Sequence, residues 1–166
     1  MIAPLSLSNV ITVLLAAICL WTVAGQARGA VIKTWRLAIP PCLAAVDALV
    51  LLAGVFEANM EHDAEWLVAA LVGAFFGRMR GWTIEVEVDQ RRDLVRQHRS
   101  SDGPLIAIAL LLFSLTDFTG AALLDPVLEP QFVAAGAAFC AGWLSARALA
   151  IAVRTTRLPH VELSSA

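Results

Sequence analysis

The sequence predicts an all-α membrane protein, a five-span transmembrane helix bundle with a small cytoplasmic β-hairpin between spans three and four. Three observations predict this fold. Hydrophobic residues make up 59% of the 166-residue chain and charged residues only 16%, whereas a soluble domain is about half apolar and about a quarter charged. Apolar runs recur at roughly the 20 residues that cross a bilayer. The basic residues fall on alternate connections between these runs.

The apolar runs give the predicted spans, which together form one membrane domain over residues 1–166. They lie at residues 9–26, 37–56, 64–80, 104–124 and 131–153. The apolar part of the third run is short, and it is closed by Arg78 and Arg80, whose side chains can reach an interface. We count it as a span because a re-entrant segment would place the arginines that follow it in an external loop.

The positions of the charges predict the orientation. With five spans, all of the 12 lysines and arginines except Arg147 lie on one side of the membrane. These residues are Arg28, Lys33, Arg36, Arg78, Arg80, Arg91, Arg92, Arg96, Arg99, Arg154 and Arg157. The positive-inside rule makes this side cytoplasmic. We therefore expect the N-terminus outside and the C-terminus in the cytoplasm.

The connection after the third span departs from helical periodicity. Over residues 82–89 apolar and polar residues alternate, which is typical of a half-exposed strand. Residues 90–93 suit a turn, and residues 94–99 suit a second strand that runs back beside the first. The pattern predicts a β-hairpin over residues 82–99, whose apolar face must be covered because an isolated hairpin is marginal in water.

The proline pair Pro40 and Pro41 lies near the start of the second span. Proline is tolerated in the first turn of a helix, where its missing N–H has no partner, so the pair favours a helix start. The alternative is a helix break of the kind that exposes carbonyls in some transporters.

Several of these features together resemble the CcdC-like family of small bacterial integral membrane proteins. They are a short first span, a basic connection with Lys33, the Ile39-Pro40-Pro41 helix start, Gly77-Arg78 at the end of the third helix, and the alternating strand from Thr83 to Asp89. The resemblance implies a fold and a location in the bacterial inner membrane. It suggests a link to cytochrome c biogenesis and brings no catalytic residues.

Three charged residues lie inside the predicted spans away from their ends and form the candidate intramembrane polar site: Asp47, Asp117 and Arg147. Charges at membrane depth are costly and mark pathways or partners. From their depths along the helices, we expect Asp47 to pair with Arg147. A proton or cation relay is the alternative for this pair. For Asp117 we expect a hydrogen-bonded acid that joins helices, the alternative being a site open to the outside.

Small residues predict which helices pack closely. Gly73 and Gly77 are four residues apart in the third span, and Gly136 and Gly142 lie in an alanine-rich fifth span. Such residues let helix backbones approach each other in lipid. We expect these two helices at the centre of the bundle, and a homodimer contact is the alternative.

No cofactor is expected. The cysteines Cys19, Cys42 and Cys140 lie inside spans without a Cys-x-x-Cys motif, which favours packing roles, with a Cys19–Cys140 redox couple as the alternative. No histidine lies inside a span. The acidic loop over residues 57–65 favours a solvated connection, with a divalent metal site as its alternative.

These observations favour a non-enzymatic accessory or assembly factor for a membrane process, and the resemblance suggests cytochrome c biogenesis as that process. A small oligomeric transporter or ion-conducting protein that uses the intramembrane acids is the alternative. No enzyme motif is present in the sequence. The expected partners are membrane lipids and a protein partner in the membrane or a second copy of the chain. The arginines after the third span suit anionic head groups better than nucleic acid.

Overall fold

The computed structural model describes residues 6–55, 60–123, 128–161 and 163, and for residues 55 and 60–63 it describes the backbone alone. Over these residues the elements are α1 (Leu7–Ala27), β1 (Val31–Lys33), a 3₁₀ turn (Thr34–Ala38), α2 (Ile39–Val55), α3 (Met60–Thr83), β2 (Val86–Asp89), β3 (Leu94–Gln97), α4 (Asp102–Leu123) and α5 (Pro130–Thr155). Four helical segments are long and apolar enough to cross a membrane: α1, Thr34–Gly54, α4 and α5.

Local chemistry sets where the helices begin. α1 starts after Ser6, whose hydroxyl accepts a hydrogen bond of 3.1 Å from the backbone N–H of Ser8. α5 starts with Pro130, at a position where a missing N–H costs nothing. Pro40 and Pro41 lie in the first turn of α2, directly after the 3₁₀ turn. The structure therefore shows a helix start at this pair and no break within α2.

Helices α1, α2, α4 and α5 form a four-helix group around one buried core. The core consists of Ala16, Cys19, Val23, Ala44, Ala48, Leu51, Ala107, Leu110, Val133, Ala137, Cys140, Ala141, Trp143 and Leu144. α5 packs against α2, α3 and α4, whereas α3 packs mainly against α5. Among the described residues α3 contributes no member of the core, so it lies outside the four-helix group. The prediction that α3 lies at the centre of the bundle is therefore wrong, although its predicted packing against α5 is confirmed.

Glycines bring the backbones of α3 and α5 into contact. A Cβ atom at Gly73 or Gly77 would overlap a carbonyl of α5, and one at Gly142 would overlap a carbonyl of α3. Gly81 continues the same stripe, since its Cβ would lie 2.8 Å from a carbonyl oxygen of α5. Gly136 faces α4 instead, where its Cβ would overlap an aromatic ring. Close approach in lipid explains why these positions are small.

A three-stranded antiparallel sheet joins two distant connections, with the strand order β1–β3–β2. Val95 of β3 is paired with Ile32 on one side and with Val88 on the other. β2 and β3 confirm a hairpin within residues 82–99. The hairpin begins later than expected, because Trp82 and Thr83 still belong to α3. The sequence did not predict β1, whose three residues are too few for a recognisable alternation.

The chain after α5 pairs with the free edge of β2. The backbone N–H of Val161 donates to the carbonyl of Val88 at 2.9 Å, and His160 forms a parallel bridge with Val88. The backbone N–H of Leu163 donates to the carboxylate of Asp89 at 3.4 Å. Asp89 is only 3% exposed, so this carboxylate anchors the tail to the sheet.

The anchoring carboxylate makes tail docking depend on pH. Burial alone would raise the pKa of Asp89, but hydrogen bonds from backbone N–H groups and the neighbouring His160 hold that pKa below its usual range. The donors are Leu163, Arg92 and Arg91. A lowered pKa means that the stabilisation is complete above the unfolded value of about 3.9 and is lost as the pH falls through the folded value.

We expect D89N to lower the hydrogen-exchange protection of the Val161 and Leu163 amides at about pH 7, because the neutral amide is a weaker acceptor. The difference from wild type should disappear once the pH has fallen below the lowered folded pKa of Asp89, where the carboxyl is protonated. E87Q on the same strand is the control, since Glu87 and its ion-pair partner are more than half exposed. Equal protection in D89N and wild type at neutral pH would contradict this role.

We expect G77A to lower the free energy of unfolding by about 1–3 kcal/mol, because the added methyl group forces α3 away from α5. G25A is the matched control, since a Cβ at Gly25 meets nothing within 4 Å. That change should be neutral or slightly stabilising, because alanine favours helix. Unfolding of the detergent-purified chain, followed by near-ultraviolet circular dichroism, measures both. Equal stability of G77A and G25A would rule out a tight contact at Gly77.

Candidate functional site

Asp47 is fully buried in the middle of α2. Its Oδ2 atom accepts a hydrogen bond of 3.0 Å from the hydroxyl of Ser114 on α4. The same hydroxyl lies 3.1 Å from the carbonyl of Leu110, so its single proton is shared between two acceptors. The Oδ1 atom of Asp47 is buried without a partner among the described residues. Asp47 therefore joins α2 to α4 and keeps one acceptor free.

The predicted ion pair between Asp47 and Arg147 is not formed. The guanidinium of Arg147 donates from Nη2 to Oε1 of Gln97 on β3 at 3.1 Å, and its Cζ atom lies 5.6 Å from the centre of the Trp143 ring. Arg147 is directed to the end of the bundle that carries the sheet, while Asp47 faces α4. The depths predicted from the sequence were similar, but in the structure the two side chains point to different neighbours.

Arg147 lines a small cavity. Its Nε atom and the Nε2 atom of Gln97 are both buried donors without a partner among the described residues. The adjacent cavity has a volume of about 10 Å³, close to the space that one water molecule requires. It is lined by Val23, Gln26, Leu37, Pro40, Pro41, Gln97, Leu144, Arg147, Ala148 and Ile151. This end of the bundle thus contains a buried cation held by neutral groups.

Gln26 adds a side-chain hydrogen bond beside the proline pair. The carbonyl of Arg36 accepts a hydrogen bond from the backbone N–H of Ile39 at the end of the 3₁₀ turn. The Nε2 atom of Gln26 donates to the same carbonyl at 3.2 Å. The Sγ atom of Cys19 lies 3.5 Å from the carbonyl of Pro40, as a weak donor. Gln26 and Gln97 were not predicted, since neutral amides carry no charge signal in the sequence.

Asp117 is paired with Asn9, which was not predicted as part of the site. Its Oδ2 atom accepts a hydrogen bond of 2.9 Å from Nδ2 of Asn9, which joins α4 to α1. The hydroxyls near Asp117 on α4 have other partners. Ser114 donates towards Asp47, and Thr116 and Thr119 donate to carbonyls of their own helix.

The polar contacts therefore lie at three levels of one four-helix group. Asn9 with Asp117 lies at one end, Asp47 with Ser114 lies in the middle, and Arg147 with Gln97 lies at the other end. Each contact joins two different elements. None of the four cavities described in this section is lined by Asp47 or Asp117. Chemically, these groups can cross-link helices and hold protons.

The cysteines and the acidic loop add no described site. Cys19 and Cys140 are buried and Cys42 is exposed, and all three thiols are free. In the acidic loop, the side chains of residues 57 and 61–63 lie outside the described residues, and Glu65 is exposed. The structure therefore leaves the metal-site alternative untested.

The largest of the four cavities among the described residues lies at the surface between α3 and α4, near the sheet. It has a volume of about 500 Å³ and is lined by Phe76, Met79, Arg80, Thr83, Asp102, Leu105, Ile106 and Trp143. Arg80 of α3 forms an ion pair with Asp102 of α4 at its polar end. A second cavity of about 310 Å³ shares Arg80 and Thr83 with the first. A third, also about 310 Å³, lies over the exposed side of the sheet hairpin.

A double-mutant cycle measures the contact in the middle of the bundle. We expect D47A and S114A to be coupled by roughly 0.5–1.5 kcal/mol, because either change alone removes the same hydrogen bond. D47A with T119A is the control pair, since the Thr119 hydroxyl donates to its own helix. Reversible unfolding in lipid–detergent bicelles gives the four free energies. If the D47A and S114A effects simply add, the two side chains do not interact.

Comparisons of this chain with protein-family models, with curated proteins and with solved structures found no match. The fold and the polar contacts above are therefore described from this chain's own residues. The resemblance to the CcdC-like family stays a prediction, based on the order of the spans and on the residues between Lys33 and Asp89.

Proposed function

We propose that this chain is an integral protein of a bacterial inner membrane that crosses the bilayer five times, with the N-terminus outside. The sheet supports this topology. β1 follows α1 and pairs with β3, which precedes α4, and the tail after α5 pairs with β2. All three segments thus lie at one end of the bundle. α2 leaves that end, and α3 must return to it.

The surface of α3 supports its place in the bilayer. The side of this helix that faces away from α5 carries large apolar side chains that are about half exposed. They are Leu67, Val68, Leu71, Val72, Phe75, Phe76 and Met79. A continuous apolar surface of this kind is unusual on a soluble protein. Its basic end, at Arg78 and Arg80, then lies with the other arginines on the cytoplasmic side.

Within that membrane, we assign the chain a non-enzymatic role as an accessory or assembly factor. The observation that carries this role is the use of the intramembrane polar groups. Asp47 and Asp117 are engaged by Ser114 and Asn9 of neighbouring helices, and the largest cavity opens sideways between α3 and α4. Contacts made within the membrane plane suit a protein that binds its neighbours. The resemblance to CcdC-like proteins suggests cytochrome c maturation as the process.

One observation favours the alternative of a small transporter or ion-conducting protein. The three polar contacts follow one another along the same helix group, and Asp47 and Arg147 each keep a buried polar atom without a partner among the described residues. Such a series of protonatable and hydrogen-bonding groups is the raw material of a proton or ion path.

Deleting the gene from its bacterium tests the accessory role. We expect the deletion to lower the amount of covalently bound haem on c-type cytochromes, measured by haem staining of membrane proteins. Wild type and D47N should both restore it, because D47N keeps the geometry of the contact with Ser114. The same two proteins are reconstituted in liposomes with a pH-sensitive dye. Proton flux in wild type that D47N abolishes would replace the accessory role with transport.

Unchanged haem staining in the deletion strain would reject cytochrome c maturation as the process. The expected full restoration of haem staining by D47N would show that a carboxylate at position 47 is not required for this role.

A further inference from the structure

Two neighbouring cavities at the ends of α3 and α4 share two lining residues, and we call them together the groove, with an apolar part and a polar part. The apolar part has walls from α3 and α4 and a floor made by Trp143 of α5. Phe76 and Thr83 bound it along α3, seven residues apart, which is about 10 Å at 1.5 Å per residue. Arg80 and Thr83 line both parts. The groove therefore runs from the apolar surface of the bundle to its charged end.

The apolar part has a volume of about 500 Å³ and is open along the surface of the bundle. A single extended hydrocarbon chain is much thinner than a helix and fits this space. The apolar side chains of Met79, Leu105 and Ile106 supply the contacts that such a chain needs.

The polar part carries charges of both signs. Its lining residues are Arg80, Thr83, Ile84, Glu85, His98, Arg99 and Ser100. Arg80 and Arg99 carry the positive charges that suit a phosphate. Glu85 in this part, and Asp102 at the junction, suit an ammonium group. Two cations beside two carboxylates match a zwitterionic head group better than an anionic one.

We propose that this groove binds one phospholipid of the cytoplasmic leaflet with a phosphoethanolamine head group. An acyl chain lies between α3 and α4 over Trp143, the phosphate binds Arg80 and Arg99, and the ammonium binds Glu85. This inference rests on the proposed membrane topology, which places the arginine end of the bundle at the cytoplasmic interface.

The ion pair between Arg80 and Asp102 is compatible with this ligand. The side chains of both residues are partly exposed, 50% for Arg80 and 28% for Asp102, and pairs near water contribute little. A phosphate offers Arg80 charge-assisted hydrogen bonds of the same kind as those of the carboxylate. Asp102 also accepts a hydrogen bond of 3.1 Å from Ser100, so it keeps a partner when Arg80 turns to the phosphate.

Native mass spectrometry of the detergent-purified full chain tests this proposal. The chain is titrated with phosphatidylethanolamine, phosphatidylglycerol and phosphatidylcholine of the same acyl composition. We expect one phosphatidylethanolamine per chain to be retained in preference to the other two. R80Q should weaken its binding roughly tenfold, the value of one lost charge-assisted hydrogen bond. R78Q is the control, because Arg78 is exposed on the same helix and lines neither cavity.

A second pair of variants tests the apolar part without touching a charge. L105W fills the groove and should abolish retention of the lipid. L112W is its matched control, since Leu112 lies two helical turns further along α4 with similar exposure, 57% against 62%. The proposal would be overturned if the three lipids were retained equally or if phosphatidylglycerol were preferred. It would also be overturned if the chain formed a dimer that binds no lipid and if L105W separated that dimer into monomers.

Membrane fractionation of cells separates this proposal from the topology on which it rests. A chain that remains in the soluble fraction would refute the membrane proposal and the lipid site together. A chain found in the membrane, with no preference for phosphatidylethanolamine, would refute the lipid site alone.

Discussion

The close contact between the backbones of α3 and α5 is the constraint on which the rest of the structure depends. It requires glycine at Gly73, Gly77 and Gly142, where any side chain would overlap a carbonyl of the facing helix. Because the small-residue face of α3 packs against α5, α3 makes few contacts with α4. The gap that remains is the groove over Trp143, and its polar end is bridged by Arg80 and Asp102.

The sheet supplies the second constraint, since it connects segments that are far apart in the chain. β1, the hairpin of β2 and β3, and the tail after α5 are held in one layer at one end of the bundle. From this layer, the buried carboxylate of Asp89 binds the tail and the buried amide of Gln97 binds α5. Because Gln97 accepts a hydrogen bond from Arg147, the sheet also determines where the side chain of Arg147 is directed.

Hydropathy predicted the helical segments, because span length is a property of consecutive residues. Alternation predicted the hairpin and small residues predicted the contact between α3 and α5, but neither pattern showed that α3 lies outside the core. The partner of Asp47 could not be predicted in this way. Depth along a helix follows from residue number, but rotation about the helix axis depends on how neighbouring helices pack, and rotation turned Asp47 towards Ser114 and Arg147 towards Gln97. β1 and the tail pairing were missed because each is too short to show a period.

The same distinction explains why charge alone was a poor guide to the site. The charged residues inside the spans are each held by a neutral amide or hydroxyl: Asn9, Ser114 or Gln97. In a medium of low dielectric, pairing two full charges requires both to be desolvated, whereas a neutral partner satisfies the buried group at a smaller cost. At Arg80 and Asp102, by contrast, two full charges meet at the partly exposed end of the groove. An exchangeable ionic contact therefore lies where a head group would enter, and neutral contacts hold the bundle behind it.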